Sequence, residues 1–107
     1  MFAGAGNIIR VPMSVHVQLE ENGTFWCLAS TNAIAVYWII NGSANITADI
    51  RQTKTLTEDG LNLTMVVPGV EMYDNALVQC CVYIQGQGQN CSEAAVMMIQ
   101  GEYYILT

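Results

Sequence analysis

Four cysteines, Cys27, Cys80, Cys81 and Cys91, are the residues of this chain best suited to chemistry, and their spacing narrows what that chemistry is. They lack the C-x₂₋₄-C pairs from which tetrahedral zinc sites are built. An even number of cysteines in a short chain reads instead as a disulfide framework made in an oxidising compartment. Five sequons point to the same compartment: Asn22-Gly23-Thr24, Asn41-Gly42-Ser43, Asn45-Ile46-Thr47, Asn62-Leu63-Thr64 and Asn90-Cys91-Ser92. Each fits the N-x-[ST] acceptor pattern for N-glycosylation. Other reactive groups are scarce. His16 is the single histidine and alternates among apolar residues, which suits a surface or edge position. Ser30 and Ser43 have no base whose proximity the sequence predicts. The acidic residues, from Glu20 to Glu102, are scattered without the Asp-x-Asp-x-Asp run that a calcium loop needs. We therefore expect no enzyme, no metal and no cofactor.

The 107 residues suit one domain with a single core. Net charge is −6, and the basic residues are only Arg10, Arg51 and Lys54. That balance argues against nucleic acid and anionic membrane surfaces, which both need clustered Lys and Arg. Hydrophobic residues make up 52% and charged residues 11% of the chain, yet no apolar run reaches transmembrane length. The opening Met1-Phe2-Ala3-Gly4-Ala5-Gly6 has neither a basic start nor a long apolar stretch, so we expect no signal peptide here. The chain reads as a piece of an extracellular protein, secreted or held at a cell surface by an anchor outside this segment.

The elements that must position these residues are strands. Ala76, Val78, Cys80, Val82 and Ile84 alternate with Leu77, Gln79, Cys81 and Tyr83, a period of two that marks a strand with one face in a core. The stretches 24–29 and 35–40 alternate likewise and place Cys27 and Trp38 inward beside Cys80. A cysteine, a tryptophan and a second cysteine preceded by Asp74-x-Ala76-x-Val78-x resemble an immunoglobulin domain, whose strands B, C and F carry this pin. The resemblance spans about residues 11–101, with residues 1–10 a loose N-terminal extension whose Ile8 and Ile9 could lie along a sheet edge, and 102–107 a linker or the start of a following domain. It implies an all-β, two-sheet sandwich with Greek-key connections and a Cys27–Cys80 core disulfide packed on Trp38. It also implies an Arg51–Asp74 ion pair closing one end. Val78 departs from the pattern, standing where the family carries its corner tyrosine; Tyr73 is the candidate substitute.

Along the chain, Val15, Val17 and Leu19 should face inward from a first strand, and Pro12 fits a sheet edge. Asn41-Gly42 signals a tight turn. The polar stretch 43–60 should hold a short C′ or D strand, since Cys27 and Cys80 are closer than in a variable-type domain. Strand E should turn Asn62, Thr64 and Val66 outward. A hairpin centred on Gly86 would set Cys81 directly opposite Cys91, within disulfide reach. That hairpin count continues with Ala94, Val96 and Met98 inward, whereas the family register favours Ala95, Met97 and Ile99; a bulge would reconcile the two. Trp26 faces outward, to lie under an Asn62 glycan or against the A strand.

The outer face of the G-F-C sheet should present Tyr37, Ile39, Leu77, Gln79 and Tyr83 beside the Cys81–Cys91 bridge. An ordinary solvated sheet face is polar, so this one suggests a protein partner. Resemblance to adhesion molecules and receptors implies a homophilic contact, a homodimer, or a receptor–ligand contact, with glycans on Asn41, Asn45 and Asn90 at its rim. Two other readings remain open: a structural spacer in a multidomain ectodomain, and a secreted immune-recognition or decoy module binding through loops such as 86–90.

Overall fold

The computed structural model describes residues 7–101; the expectations for 1–6 and 102–107 lie outside them. Among the described residues nine strands follow in order: β1 (Ile8–Arg10), β2 (Val15–Gln18), β3 (Gly23–Ala29), β4 (Ala35–Ile40), β5 (Arg51–Thr57), β6 (Gly60–Val67), β7 (Ala76–Ile84), β8 (Gly88–Cys91) and β9 (Ala95–Gln100). One sheet runs β1-β3-β6-β5; the other runs β2-β9-β7-β4, with β8 also paired to β7. The two sheets face each other as a sandwich. Between them Phe25, Cys27, Trp38, Met65, Val78, Cys80, Val82 and Met97 are almost wholly removed from water. Each comes from the apolar half of an alternating strand, so one period-two pattern both selects the strand and fills the core.

The N-terminal strand is divided between the sheets. Ile8–Arg10 pairs antiparallel with Ala29 and Leu28 of β3, while Val15–Gln18 pairs parallel with Met97–Gln100 of β9. Pro12, buried between them, has no N–H to offer a ladder and suits the crossing rather than a strand interior. Residues 8–10 thus run along the sheet edge, and Ile8 enters the core. At the opposite end of β3, the Glu20 N–H donates to the Gly69 carbonyl at 2.6 Å, and a Cβ on Gly69 would collide with the Glu21 backbone carbonyl. Glycine is required there by close approach.

The middle of the chain is more regular than its composition suggests. In place of a short strand, β5 runs seven residues and pairs along its whole length with β6, every one of its residues exposed. Thr53, Thr55 and Thr57 supply β-branched propensity without hydrophobic alternation, and no C′ strand is present among the described residues.

In the corner before β7, Arg51 stands exposed opposite Val66, and the Asp74 Oδ1 accepts the Ile99 N–H at 2.9 Å. A short 3₁₀ turn, Glu71–Tyr73, buries the Tyr73 ring. Its hydroxyl donates to Asp49 Oδ2 at 3.1 Å and lies 3.0 Å from Thr47 Oγ1. Tyr73 therefore ties the β4–β5 connection to the β6–β7 corner, while Val78 simply fills the core. The Thr47 hydroxyl, and after it that of Tyr73, hold the Asp49 carboxyl below its ordinary 3.8, against partial desolvation. A pKa lowered on folding contributes stability above the unfolded value and loses it as pH falls through the folded one. Asp49→Asn should thus lower stability at neutral pH, with the difference from the parent shrinking below pH 3.8 in denaturation midpoints measured across the acid range.

Candidate interaction face

The outer face of β4 and β7 is set by the register of the two strands. Ala35, Tyr37 and Ile39 stand opposite Tyr83, Cys81 and Gln79. Since directly opposed residues share a face, these six side chains form one outward row, and Leu77 continues it along β7. Leu77 is 47% and Tyr83 45% exposed, while Tyr37, Ile39 and Gln79 are half-buried. Ile34, just before β4, is 58% exposed, and its N–H donates to the Tyr83 carbonyl at 2.8 Å. Val96, opposite Leu77, and Met98 extend the apolar surface onto β9. No residue of this row is charged. β4 is the outermost strand of its sheet, so the row ends at an open edge.

Two disulfides brace this region, one through the core behind the face and one across its hairpin. Cys27 and Cys80 are joined with Cα atoms 6.4 Å apart, spanning the sheets, and Cys81 and Cys91 are joined with Cα atoms 4.0 Å apart within one hairpin. Adjacent cysteines on one strand point to opposite faces, which is why Cys80 and Cys81 enter different bonds. Cys81 is nevertheless fully buried, because Cys91 and the row around it cover the sulfur. The hairpin pairs Cys81 with Cys91 and Ile84 with Gly88, and Gly86 and Gly88 adopt φ of 82° and 84°. These left-handed positions are the ones glycine tolerates.

The register then slips by one between β8 and β9, where Ala76 meets Met97 and Val78 meets Ala95. Residues 92–94 carry the slip, and Ala95, Met97 and Ile99 are buried as a result. Ser92 makes the bulge possible. It is 1% exposed; its N–H donates to the Cys80 carbonyl at 2.8 Å, and its Oγ accepts the Cys80 N–H at 3.0 Å. Its own carbonyl accepts from Gln79 Nε2 at 2.9 Å. A side-chain oxygen thus replaces the ladder acceptor that the bulge displaces. Sequence reasoning saw Ser92 only as a sequon residue. The one signal available was the conflict between the two strand registers.

The sequon asparagines are spread over the surface. Asn22, Asn41 and Asn45 are exposed. Asn41 closes the turn after β4 at φ 51°, and its Oδ1 accepts the Leu77 N–H at 2.9 Å, which places it at the rim of the apolar row. Asn90 is opposite Val82, on the core-facing side of β8, and half-buried, so it does not share the outer face. Asn62 lies on the outer face of the other sheet, opposite Leu28 and Thr55. His16 is exposed on edge strand β2. Among the described residues no group of His, Cys, Asp and Glu could hold a metal ion, and no helix is long and apolar enough to cross a membrane.

No protein-family model matches the sequence, and no curated protein matches it. Solved structures do. The N-terminal two-immunoglobulin module of the Drosophila receptor protein tyrosine phosphatase DLAR superposes with a TM-score of 0.70 at 18% identity, covering 94% of this chain and 51% of that one. A titin I-band fragment gives 0.66 at 25% identity over 88% of this chain and 32% of that one. A single titin domain gives 0.65 at 15% identity, covering 87% and 96% of the two chains. The fold is that of an immunoglobulin-like domain.

Proposed function

We propose that this immunoglobulin-like domain is an extracellular recognition module that binds another protein through the outer face of β4 and β7. The observation that carries the proposal is the uncharged row Tyr37, Ile39, Leu77 and Tyr83, lying open on a sheet face that would ordinarily be polar. Interface centres are depleted of charge and enriched in tyrosine, and they are rimmed by polar groups. Here Asn41 provides such a group at the rim, and Gln79 within the row spends its amide on the Ser92 carbonyl. Two disulfides and five sequons favour the secretory route. The function is binding rather than catalysis, with no cofactor.

The partner is either a second copy of the chain or a different receptor or ligand. Ile39→Arg and Tyr83→Glu each place a charge in the contact without entering the core. Each is expected to weaken association by more than about 2 kcal/mol, roughly 30-fold, with thermal stability retained. Sedimentation over a wide concentration range reads the homophilic case, and capture of receptor-bearing cells reads the heterophilic one. Association that survives both substitutions would refute the face.

A second reading follows from the tandem neighbours, which this chain matches over 51% and 32% of their length. As a spacer between domains, the module would use the same apolar row against an adjoining module. A chain extended beyond residue 107 would then become resistant to dimerisation, and Ile39→Arg would loosen the domain junction instead.

A further inference from the structure

Exposed apolar side chains also lie on the opposite sheet and on the segment that crosses from it: Trp26 of β3 is 58%, and Met13 and Val11, between β1 and β2, are 77% and 47% exposed. They line a groove of about 690 Å³ on the outer side of β3 that also reaches Arg10, Asp59 and Asn62. The groove exists because β1 covers β3 only as far as Leu28; beyond Arg10 the chain crosses to the other sheet. Its size falls within the roughly 300–1,000 Å³ usual for ligand sites.

Asn62 begins the Asn62-Leu63-Thr64 sequon and forms part of the groove's own lining. Trp26 is opposite Thr64 and Leu28 is opposite Asn62, so Trp26 and Asn62 are diagonal neighbours on one face. Such neighbours in an antiparallel pair are roughly 7–8 Å apart. An N-acetylglucosamine joined to Asn62 Nδ2 therefore starts within reach of the indole. A pyranose offers one C–H face suited to an aromatic plane and a rim of hydroxyls suited to charged and polar groups. Trp26 and Met13 provide the first environment, and Arg10 and Asp59 the second.

We infer that the groove seats the inner N-acetylglucosamine residues of a glycan carried on Asn62, covering Trp26 and closing this sheet to protein contact. The domain would then have one open apolar face and one shielded one. The inference rests on the secretory placement of the chain, but not on the contact around Tyr83.

The test uses the full chain expressed in glycosylating secretory cells, with iodide quenching of tryptophan emission as the readout. Trp38 is 1% exposed and Trp26 58% exposed, so iodide reports on Trp26. Quenching should be suppressed in the glycosylated protein and restored in Asn62→Gln and in Thr64→Val, which removes the sequon while keeping the asparagine. Thr64→Ser preserves the sequon and should keep the suppression. Peptide mass mapping reports which sequons are occupied. Occupancy of Asn62 with Trp26 fully quenchable would overturn the inference, as would suppression that persists in Asn62→Gln. Dimerisation of Asn62→Gln that Trp26→Ala abolishes would support the shielding role. Glycans on Asn22 or Asn41 but none on Asn62 would overturn this inference and leave the extracellular reading standing; no glycan at any sequon would overturn both.

Discussion

Replacing Cys27 and Cys80 together by alanine should cost about 4 kcal/mol of stability, the chain-entropy value for a disulfide closing a loop of 53 residues. For a domain of this size that corresponds to a fall in melting temperature of roughly 15–30 °C. It is also a large share of the roughly 5–15 kcal/mol that holds a typical domain together. The Cys81–Cys91 bond closes a loop of only 10 residues, so the same model assigns the Cys81→Ala/Cys91→Ala pair about 2.5 kcal/mol. Denaturant titration of the two double variants checks the order. If the hairpin pair proves the more costly, packing around the buried Cys81 outweighs loop closure. The hairpin variant has a second use: its core pin is intact, so a loss of partner binding in a folded protein would report on the shape of the face beside Tyr83.

Trp38→Ala should cost about 3–5 kcal/mol, because the indole is 1% exposed at the centre of the sandwich and neighbouring strands cannot close the space it leaves. Trp38→Phe should be far milder, below about 2 kcal/mol. The reason is specific to this molecule. Trp38 Nε1 is buried with no hydrogen-bond partner among the described residues, so phenylalanine removes an N–H whose burial is uncompensated as well as part of the ring. Equal losses in the two variants, measured by denaturant unfolding, would mean that the volume of the indole is what matters and that its N–H carries no penalty.

Much of this structure could be read from residue order, and the reason is the period of two. Strands β3, β4, β6 and β7 each bury one alternate set, so Phe25, Cys27, Trp38, Leu63, Met65, Val78 and Cys80 are legible as core residues before any contact is known. The hairpin was legible because Gly86 and Gly88 mark a turn that puts Cys81 across from Cys91. Strand β5 resisted this kind of reading. It is exposed along its whole length, so its threonines give strand propensity but no alternation, and pairing with the edge of β6 lies outside its own sequence.

The corner residues show the same division. An Arg51–Asp74 pair follows from family pattern, whereas the hydrogen bond from the Ile99 N–H to Asp74 Oδ1 had no signal in the sequence. The corner is held by Tyr73 against Asp49 and Thr47, 24 and 26 residues away in the chain. Alternation and turn signals therefore determined the strands, the core and the Cys81–Cys91 hairpin, because burial of alternate side chains and turn geometry are local properties. The Cys27, Trp38 and Cys80 resemblance implied the fold class and the core disulfide. Tertiary structure decided that Tyr73 holds the corner through Asp49 and Thr47, that Ser92 carries the bulge setting the register of β9, and that Trp26 and Asn62 line one groove. Those depend on which strand edges and polar groups remain unsatisfied once the sheets have formed, and only the assembled sandwich settles that.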